Sequence, residues 1–299
     1  MLNRRLGNTD LIVSPLGYGS MGLRGPRTWG VRVVEEYDAE RMLNAVIDQG
    51  INFIDTSPDY GICEHRIGKY LSSRRSEYFL ATKCGCVPVQ HADYLEISHR
   101  WEPSVVRANL ENSLRRLQTD YLDILQFHGG DARTLQENGL IDLLNAFRLE
   151  GKIRYLGVSS SLPNLPDLLG TGSFDTIQVP FSCLAPEHAD LIREAEARSV
   201  GVIVRGGIAH GGPDAEIQRD KLNAIWQRAN LDELVPAGMS RAEFILRHTL
   251  AIAANHTIIV GTSNLTHLRD NVAAARLGPL PIDLCEQVDK RVAEIIQAR

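Results

Sequence analysis

The sequence of 299 residues predicts a closed (β/α)8 barrel. Short runs rich in β-branched and aromatic residues alternate with amphipathic helical patterns, and this alternation is typical of a parallel sheet. Eight strand–helix units close a barrel, and no linker rich in Pro, Gly or Ser divides the chain. We therefore expect a single (β/α)8 domain over residues 1–299.

The strands can be placed in order along the chain. The segment RRLGNTDLIV predicts an N-terminal β-hairpin with Gly7 and Asn8 in its turn, which would floor one end of the barrel. The barrel strands are expected in SPLGYGS (14–20), FIDTS (53–57), FLATK (79–83), ILQFH (124–128), YLGVS (155–159), TIQVP (176–180), VIVRG (202–206) and TIIVG (257–261). Long loops over 84–102 and 207–239 follow the third and seventh strands. We expect these loops to shape a substrate cavity, because barrel chemistry occurs at the carboxyl ends of the strands.

Helix signals lie between the strands. Ala39, Leu43 and Val46 share one face of a 3.6-residue period, which places a helix between the first two strands. Ser240 and Glu243 form a capping-box pattern, which predicts the start of another helix at this point.

Composition limits the kind of partner. A net charge of −5 provides no positive field to attract nucleic acid or an anionic membrane, so we expect small-molecule partners. No apolar run is long enough to span a bilayer, and MLNRRLGNTD lacks the apolar region of a secretion signal. The five cysteines are an odd number, which fits reduced thiols and a cytoplasmic location. The oligomeric state is left open.

Four polar residues fall near the ends of neighbouring strands. Asp55, Lys83 and His128 close the second, third and fourth strands, and Tyr60 lies in the loop just after Asp55. Each alone has a simple structural explanation, such as a cap or a packed side chain. Because the carboxyl ends of parallel strands meet at one end of a barrel, we expect the four side chains to converge.

Several segments together resemble the aldo-keto reductase family, in order and in spacing. These segments are NFIDTSPDYG, EHRIGKYL, LATKCG, SLRRLQTDYLDILQFHGG, GKIRYLGVSS and IIVGTSNLTHLRDN, and they extend over nearly the whole chain. The resemblance implies a barrel that binds NADPH, or less often NADH, without a Rossmann domain. It also implies reduction of an aldehyde or ketone to an alcohol, with a catalytic tetrad at Asp55, Tyr60, Lys83 and His128.

The residue types of this tetrad fit that reaction. Hydride transfer to a carbonyl carbon leaves negative charge on the oxygen, which must gain a proton. Tyr60 would donate that proton if the Lys83 ammonium lowers the pKa of its phenol. Asp55 would hold Lys83 in place, and His128 would donate to the carbonyl oxygen and orient the substrate.

The resemblance also implies a set of cofactor-binding residues. These are Gly19, Ser20 and Met21 near the nicotinamide; Ser159, Ser160 and Gln178 at its carboxamide; Arg205, Gly206 and Gly207 at the pyrophosphate; and Gly261, Thr262, Ser263, His267 and Asn271 at the adenosine end. Ser160 stands where the family commonly has asparagine, and Arg205 where many members have tyrosine. The Lys or Arg that usually binds the 2′-phosphate is absent between Gly261 and His267, although hydroxyls at a helix N-terminus still bind anions. NADPH is the expected cofactor, with NADH as the alternative.

Two other functions fit some of these residues. A lysine at the end of a barrel strand, such as Lys83, is also the nucleophile of a Schiff-base aldolase. A redox-sensing subunit that binds the cofactor with little turnover is the second alternative. No metal site is expected, because no His-x-His pair follows the first strand and the histidines are not clustered in the sequence.

Overall fold

Parallel strands close into a barrel in the computed structural model, which describes residues 1–26, 33–208, 220–252 and 256–297. The strands of these residues are β1 (Arg4–Arg5), β2 (Ile12–Val13), β3 (Leu16–Gly19), β4 (Phe53–Asp55), β5 (Phe79–Cys84), β6 (Cys86–Gln90), β7 (Leu95–His99), β8 (Leu122–His128), β9 (Ile153–Ser159), β10 (Thr176–Pro180), β11 (Gly201–Arg205) and β12 (His256–Val260). The barrel order is β3-β4-β5-β8-β9-β10-β11-β12, and β12 pairs with β3 to close it. The predicted (β/α)8 barrel is confirmed.

Helices surround this barrel. Those of the described residues are α1 (Glu36–Asp48), α2 (Cys63–Leu71), α3 (Pro103–Leu117), α4 (Ala132–Glu137), α5 (Leu140–Leu149), α6 (Leu165–Gly170), α7 (Ala189–Ala197), α8 (Asp220–Arg228), α9 (Arg241–Thr249), α10 (Leu265–Leu277) and α11 (Ile282–Gln297). At the start of α9 the Ser240 hydroxyl accepts a hydrogen bond from the Glu243 amide, as the sequence predicts. None of the described helices is long and apolar enough to cross a membrane.

The alternation of side chains along β8 shows how the barrel positions functional groups. Leu125 and Phe127 belong to the hydrophobic cluster shared with the surrounding helices. Ile124 belongs to the separate cluster that fills the barrel near its floor. Gln126 and His128 follow Ile124 at intervals of two residues, so they point to the same, inner side of the strand. The inner side therefore changes from apolar to polar towards the carboxyl end of the strand.

An N-terminal hairpin floors the barrel. β1 and β2 pair antiparallel, and Leu6, Leu11 and Val13 are completely buried in the floor cluster. Gly7 adopts φ +57, and a Cβ atom there would lie 2.2 Å from the backbone nitrogen of Gly201. Only glycine fits both the left-handed conformation and this close approach. The predicted hairpin is confirmed.

The two insertions contain more regular structure than the predicted loops. Residues 84–102 hold the antiparallel pair β6 and β7, with Cys86 opposite His99. The segment 207–239 includes α8 and a short 3-10 helix, Leu231–Leu234, while residues 209–219 of this predicted loop lie outside the described residues. The β6–β7 hairpin is important for the site, because His99 and Ile97 line the central cavity.

Candidate active site

A buried ion pair lies at the centre of the site. The Lys83 ammonium donates to both carboxylate oxygens of Asp55, at 3.0 and 2.8 Å, and to the Thr56 carbonyl at 2.8 Å. Asp55 pairs in register with Ala81 on β5, and Lys83 follows two residues later, so both side chains face the barrel interior. Burial lowers the pKa of Lys83, but the Asp55 carboxylate outweighs this effect, with a further contribution from the hydrogen bond to Tyr60, and the pKa is raised. Lys83 is therefore a fixed ammonium.

Two glutamine side chains complete the surroundings of Asp55. Gln126 on β8 and Gln178 on β10 each donate to its Oδ1 atom, at 3.0 and 2.8 Å. Together with Lys83, they surround the buried Asp55 carboxylate with hydrogen-bond donors from three different strands. A buried charge needs such compensation, because desolvating an unpaired carboxylate is costly. Asp55 is thus held rigidly and in turn fixes the position of Lys83.

Tyr60 lies directly over this pair. Tyr60 belongs to a turn after β4, in which its amide donates to the Ser57 carbonyl at 3.0 Å. This turn places the centroid of the Tyr60 ring 5.0 Å from Lys83 Nζ. Burial raises the pKa of Tyr60, and the Lys83 ammonium opposes this effect only in part. The lowered pKa expected from the sequence is not found, because desolvation of the phenolate outweighs the attraction of the ammonium. Tyr60 is therefore a protonated phenol at neutral pH.

His128 completes the group of four at the end of β8. Its Nδ1 atom lies 2.8 Å from Asp59 Oδ2, and a carboxylate can only accept, so Nδ1 carries the proton of that bond. Burial lowers the pKa of His128 and Asp59 opposes this, so the ring is neutral at pH 7. The two imidazoles of His128 and His99 both bond Asp59 and keep its pKa well below the usual range despite its burial. The structure brings together all four residues predicted as catalytic.

A large cavity opens above these residues. Its volume is about 1760 Å³, whereas ligand sites in proteins commonly measure about 300–1,000 Å³. Three of the predicted catalytic residues line it, namely Asp55, Tyr60 and His128. The predicted cofactor residues that line it are Gly19, Met21, Ser159, Ser160, Gln178, Arg205, Gly206, Gly207, Gly261, Thr262, His267 and Asn271. Ser20 is buried outside the cavity lining and Ser263 is exposed outside it.

The lining fits an extended dinucleotide. Ser159 donates to Gln178 Oε1 at 2.8 Å, and Gln178 donates to Asp55, so amide and hydroxyl groups stand in fixed orientation next to the ion pair. Gly206 adopts φ +70 with open space around its Cα, which leaves backbone accessible to a phosphate. A Cβ atom on Gly261 would lie 3.0 Å from the Gly19 carbonyl oxygen, so β3 and β12 approach closely at this wall.

The N-terminus of α10 adds an anion-binding feature to the same cavity. Asn264 caps the helix by accepting from the Thr266 amide at 2.8 Å, and Thr262, His267 and Asn271 line the cavity beside it. A helix N-terminus favours negative groups through its free amides and its dipole. Glu243 and Asp270 also line the cavity. These carboxylates make the surroundings less favourable for an additional phosphate than a Lys or Arg would.

Sequence reasoning missed several residues of the site. Gln126 lies two residues before His128 on a strand that was already predicted, so the period of two could have identified it. Asp59 and His99 gave no such signal, since one lies in a turn and the other at the end of an unpredicted hairpin strand. Two of the nine histidines that are scattered in the sequence are brought together, with the ring centroids of His99 and His128 4.8 Å apart.

The fold and the site together define a barrel enzyme that provides a buried acid–base group and a long ligand cavity. The family model of the aldo/keto reductases matches residues 15–293. The chain belongs to the aldo/keto reductase family. Its expected family assignment is confirmed.

Known relatives agree with this assignment. The chain is 30% identical over 296 residues to the uncharacterized oxidoreductase YqkF of Bacillus subtilis, covering 92% of this chain and 91% of the relative. It is 26% identical over 309 residues to the NADH-specific methylglyoxal reductase of Escherichia coli, covering 91% and 93%. Among solved structures, aldo-keto reductase AKR11C1 from Bacillus halodurans in its holo form aligns with a TM-score of 0.82 at 29% identity, covering 97% of this chain and 96% of that one. The protein is thus an NAD(P)H-dependent oxidoreductase that acts on small-molecule carbonyl compounds.

Proposed function

We propose that Tyr60 is the proton donor in the reduction of an aldehyde or ketone to an alcohol. The observation that carries this proposal is the position of the Tyr60 ring, 5.0 Å above the buried Lys83 ammonium and at the wall of the cavity. The nicotinamide supplies the hydride when it is bound. The remaining requirements, which are a proton for the oxygen and a fixed orientation for the carbonyl group, are met by side chains of this chain.

Each member of the tetrad has a separate task. Tyr60 remains protonated because its pKa is raised, so the proton is available when charge develops on the carbonyl oxygen. Lys83 then stabilises the phenolate that Tyr60 becomes, and Asp55 keeps Lys83 charged and oriented. His128 lines the same cavity and is proposed to orient the carbonyl oxygen.

The state of Lys83 argues against the Schiff-base alternative. An aldolase lysine must be a free amine, and its pKa is lowered for this purpose. Here the pKa of Lys83 is raised, and its ammonium is held by hydrogen bonds to the Asp55 carboxylate and the Thr56 carbonyl. A lysine in this state is an electrostatic group and not a nucleophile.

The cofactor is proposed to be NADPH, with only a weak preference over NADH. The 2′-phosphate would meet the N-terminus of α10, the Thr262 hydroxyl and His267, which together form an anion site. The carboxylates of Glu243 and Asp270 line the cavity too and oppose the extra charge. The relative from Escherichia coli is named as NADH-specific, which is consistent with a family in which this choice varies.

The cytoplasm is the proposed location. All five cysteines are free thiols and buried, as expected of a chain kept under reducing conditions.

The decisive variant is Tyr60→Phe, which removes the phenolic proton and little else. We expect kcat with a simple aldehyde to fall by at least about 100-fold, because one general acid contributes about 10²–10⁴ to a rate. The affinity for NADPH, measured by quenching of protein fluorescence, should change by less than about twofold. The variant removes only one hydroxyl group, and a tenfold loss would mean that this hydroxyl contributes about 1.4 kcal/mol to cofactor binding.

The control is Tyr37→Phe, a tyrosine on α1 whose residue surface is 68% exposed. This variant should keep the turnover of the wild-type protein. Retained turnover in Tyr60→Phe would show that another group donates the proton. A turnover near zero in the wild-type protein, together with tight cofactor binding, would instead support the sensing alternative.

A further inference from the structure

Four side chains of metal-binding types meet beside the proposed catalytic group. They are Asp59 in the turn after β4, Cys86 at the start of β6, His99 at the end of β7 and His128 at the end of β8. One ligand atom from each lies within 4.8 Å of the ligand atoms of the other three. The four residues come from separate parts of the chain, so no spacing motif announces the cluster in the sequence.

Their separations are close to those of a tetrahedral zinc site. Zinc bonds of about 2.0–2.3 Å to nitrogen, oxygen and sulfur place tetrahedral ligands about 3.3–3.6 Å apart. Here Cys86 Sγ lies 3.5 Å from His128 Nδ1. Asp59 Oδ2 lies 3.2 Å from His99 Nε2 and 2.8 Å from His128 Nδ1. The four ligand atoms all lie within 4.8 Å of one another, so shifts of up to about 1 Å would bring them to bonding positions.

One atom of the cluster lacks the partner that a metal would provide. Asp59 is only 2% exposed, and its Oδ1 atom is buried with no hydrogen bond from the described residues. A buried carboxylate oxygen without a partner is unfavourable. The other oxygen of this carboxylate, Oδ2, faces both histidines, so a divalent cation in the cluster would bring positive charge close to Oδ1 as well. The carboxylate together with a thiolate of Cys86 would balance the two positive charges.

The ligands are also held in place before any metal binds. The backbone of Cys86 both donates to and accepts from the buried Asn109 side chain on α3, at 2.9 and 2.8 Å. Cys86 is paired in register with His99 across the β6–β7 hairpin. The ring of His128 is packed edge-on against that of His99. Such support of ligand orientation is what a defined metal site requires.

We propose that Asp59, Cys86, His99 and His128 form a zinc site at the mouth of the barrel. One thiol and two imidazoles with a carboxylate are a donor set that favours Zn²⁺. Binding breaks the S–H bond of Cys86 and releases that proton to solvent. The protons on His128 Nδ1 and His99 Nε2, which are donated to Asp59 without the metal, move through solvent to the other nitrogen of each ring, and this frees both lone pairs for the zinc. Four protein ligands leave no open position, so the zinc is structural: it ties the β6–β7 hairpin to the ends of β4 and β8.

The site would also determine which nitrogen of His128 carries its proton. With Asp59 as the partner, the Nδ1 proton is used in that bond, and the neutral ring has only a lone pair at Nε2. With zinc on Nδ1, the proton resides on Nε2, where it can be donated to a carbonyl oxygen. This second consequence depends on the proposed role of His128, whereas the zinc site itself does not.

The experiment uses the full chain, stripped with a chelator and titrated with Zn²⁺ against a chromophoric competitor. We expect one zinc per chain, and a loss of affinity of at least about tenfold in both Cys86→Ser and His99→Ala. With Co²⁺ as a probe, the wild-type protein should show the strong visible bands of tetrahedral cobalt and a thiolate-to-cobalt charge-transfer band. The charge-transfer band should disappear in Cys86→Ser.

His91→Ala is the matched control. His91 belongs to the same hairpin, but it lies at the opposite end from Cys86 and His99, and its Nε2 atom is 2.8 Å from Glu96 Oε2. This variant should bind zinc like the wild-type protein. Tyr60→Phe should also bind zinc normally, so a failure of the proposed proton donor and a failure of the metal site can be told apart. The proposal is overturned if cobalt gives no thiolate band in the wild-type protein, or if His99→Ala, whose side chain is partly exposed, binds zinc as tightly as His91→Ala does.

Discussion

At the scale of single residues, the site works through opposed effects on neighbouring groups. Burial raises the pKa of Tyr60 and would lower that of Lys83, yet Lys83 stays charged because Asp55 lies within hydrogen-bond distance. The result is a protonated acid beside a permanent cation. Tyr60 therefore loses its proton only when negative charge develops on the substrate oxygen, which can then accept the proton. In a reductase this is the step at which the proton is needed.

Cofactor choice can be tested at His267, which lines the cavity beside the N-terminus of α10. We expect His267→Arg to raise the affinity for NADPH by at least about tenfold, because one charge-assisted hydrogen bond to phosphate contributes about 1.5–3 kcal/mol. The affinity for NADH, which has no 2′-phosphate, should change by less than about twofold. Parallel fluorescence titrations with both cofactors measure the ratio.

His65→Arg is the control for this prediction, because His65 is an exposed residue of α2 that is absent from the cavity lining. It adds the same charge without placing it at the site. Equal gains for NADPH and NADH in His267→Arg would contradict a 2′-phosphate contact, and equal effects in the two arginine variants would assign the gain to net charge alone.

The sequence could predict the tetrad but not its surroundings. Lys83 and His128 end predicted strands and Asp55 lies near the end of another, so the barrel rule alone brings them to one mouth. Asp59 could not be assigned, because a residue in a turn has no periodicity that shows where its side chain points. His99 depended on the β6–β7 hairpin, and only β7 (LEISH) shows the alternation of apolar and polar residues seen in a half-buried strand. Its partner β6 (CVPVQ) contains a proline and does not alternate, so the sequence gives no clear signal for the pair. The roles of the tetrad and of the cofactor residues stay predictions that the proposed variants test.

At the scale of elements, close packing of α2 against α3 positions the segment that follows Tyr60. α2 begins at Cys63, and the Cys63 amide donates to the Tyr60 carbonyl at 3.1 Å, so the catalytic turn leads directly into this helix. Glu64 near its start is buried and accepts from Arg116 on α3 and from Thr82 on β5. The turn that carries Tyr60 is therefore anchored by contacts between α2, α3 and β5.

Gly68 tests how closely α2 and α3 must approach. A Cβ atom at this position would lie 2.2 Å from the backbone oxygen of Arg116. Because backbone cannot move aside without separating the helices, we expect Gly68→Ala to lower the free energy of unfolding by about 1–3 kcal/mol. The midpoint of urea unfolding measures this loss.

Gly170→Ala is the matched control, since Gly170 is also a helical glycine, in α6, and a Cβ atom there would meet nothing within 4 Å. Its stability should be unchanged or higher, by about 0.4–1 kcal/mol, because alanine restricts the unfolded chain. If both variants were equally destabilised, the cost would come from helix conformation and not from the α2–α3 contact.

At the scale of the whole molecule, the barrel separates stability from chemistry along its axis. The floor is an apolar cluster that contains the hairpin residues Leu6, Leu11 and Val13, whereas the proposed catalytic groups lie at the carboxyl ends of the strands. The eight-strand architecture and the flooring hairpin could be predicted from strand count and turn residues. That residues 1–299 form one domain stays a prediction.

Leu6→Ala tests this separation. Leu6 is fully buried, so its truncation should lower the free energy of unfolding by about 2–5 kcal/mol, which urea unfolding would detect. Leu2→Ala, in a residue that is 92% exposed, should change it by no more than about 0.5 kcal/mol. Below the unfolding transition, Leu6→Ala should still bind NADPH within about twofold of the wild-type affinity, because the cavity lies at the other end of the strands. Weakened cofactor binding in the folded variant would show that the floor cluster transmits strain to the mouth, and the two ends of the barrel would then be coupled.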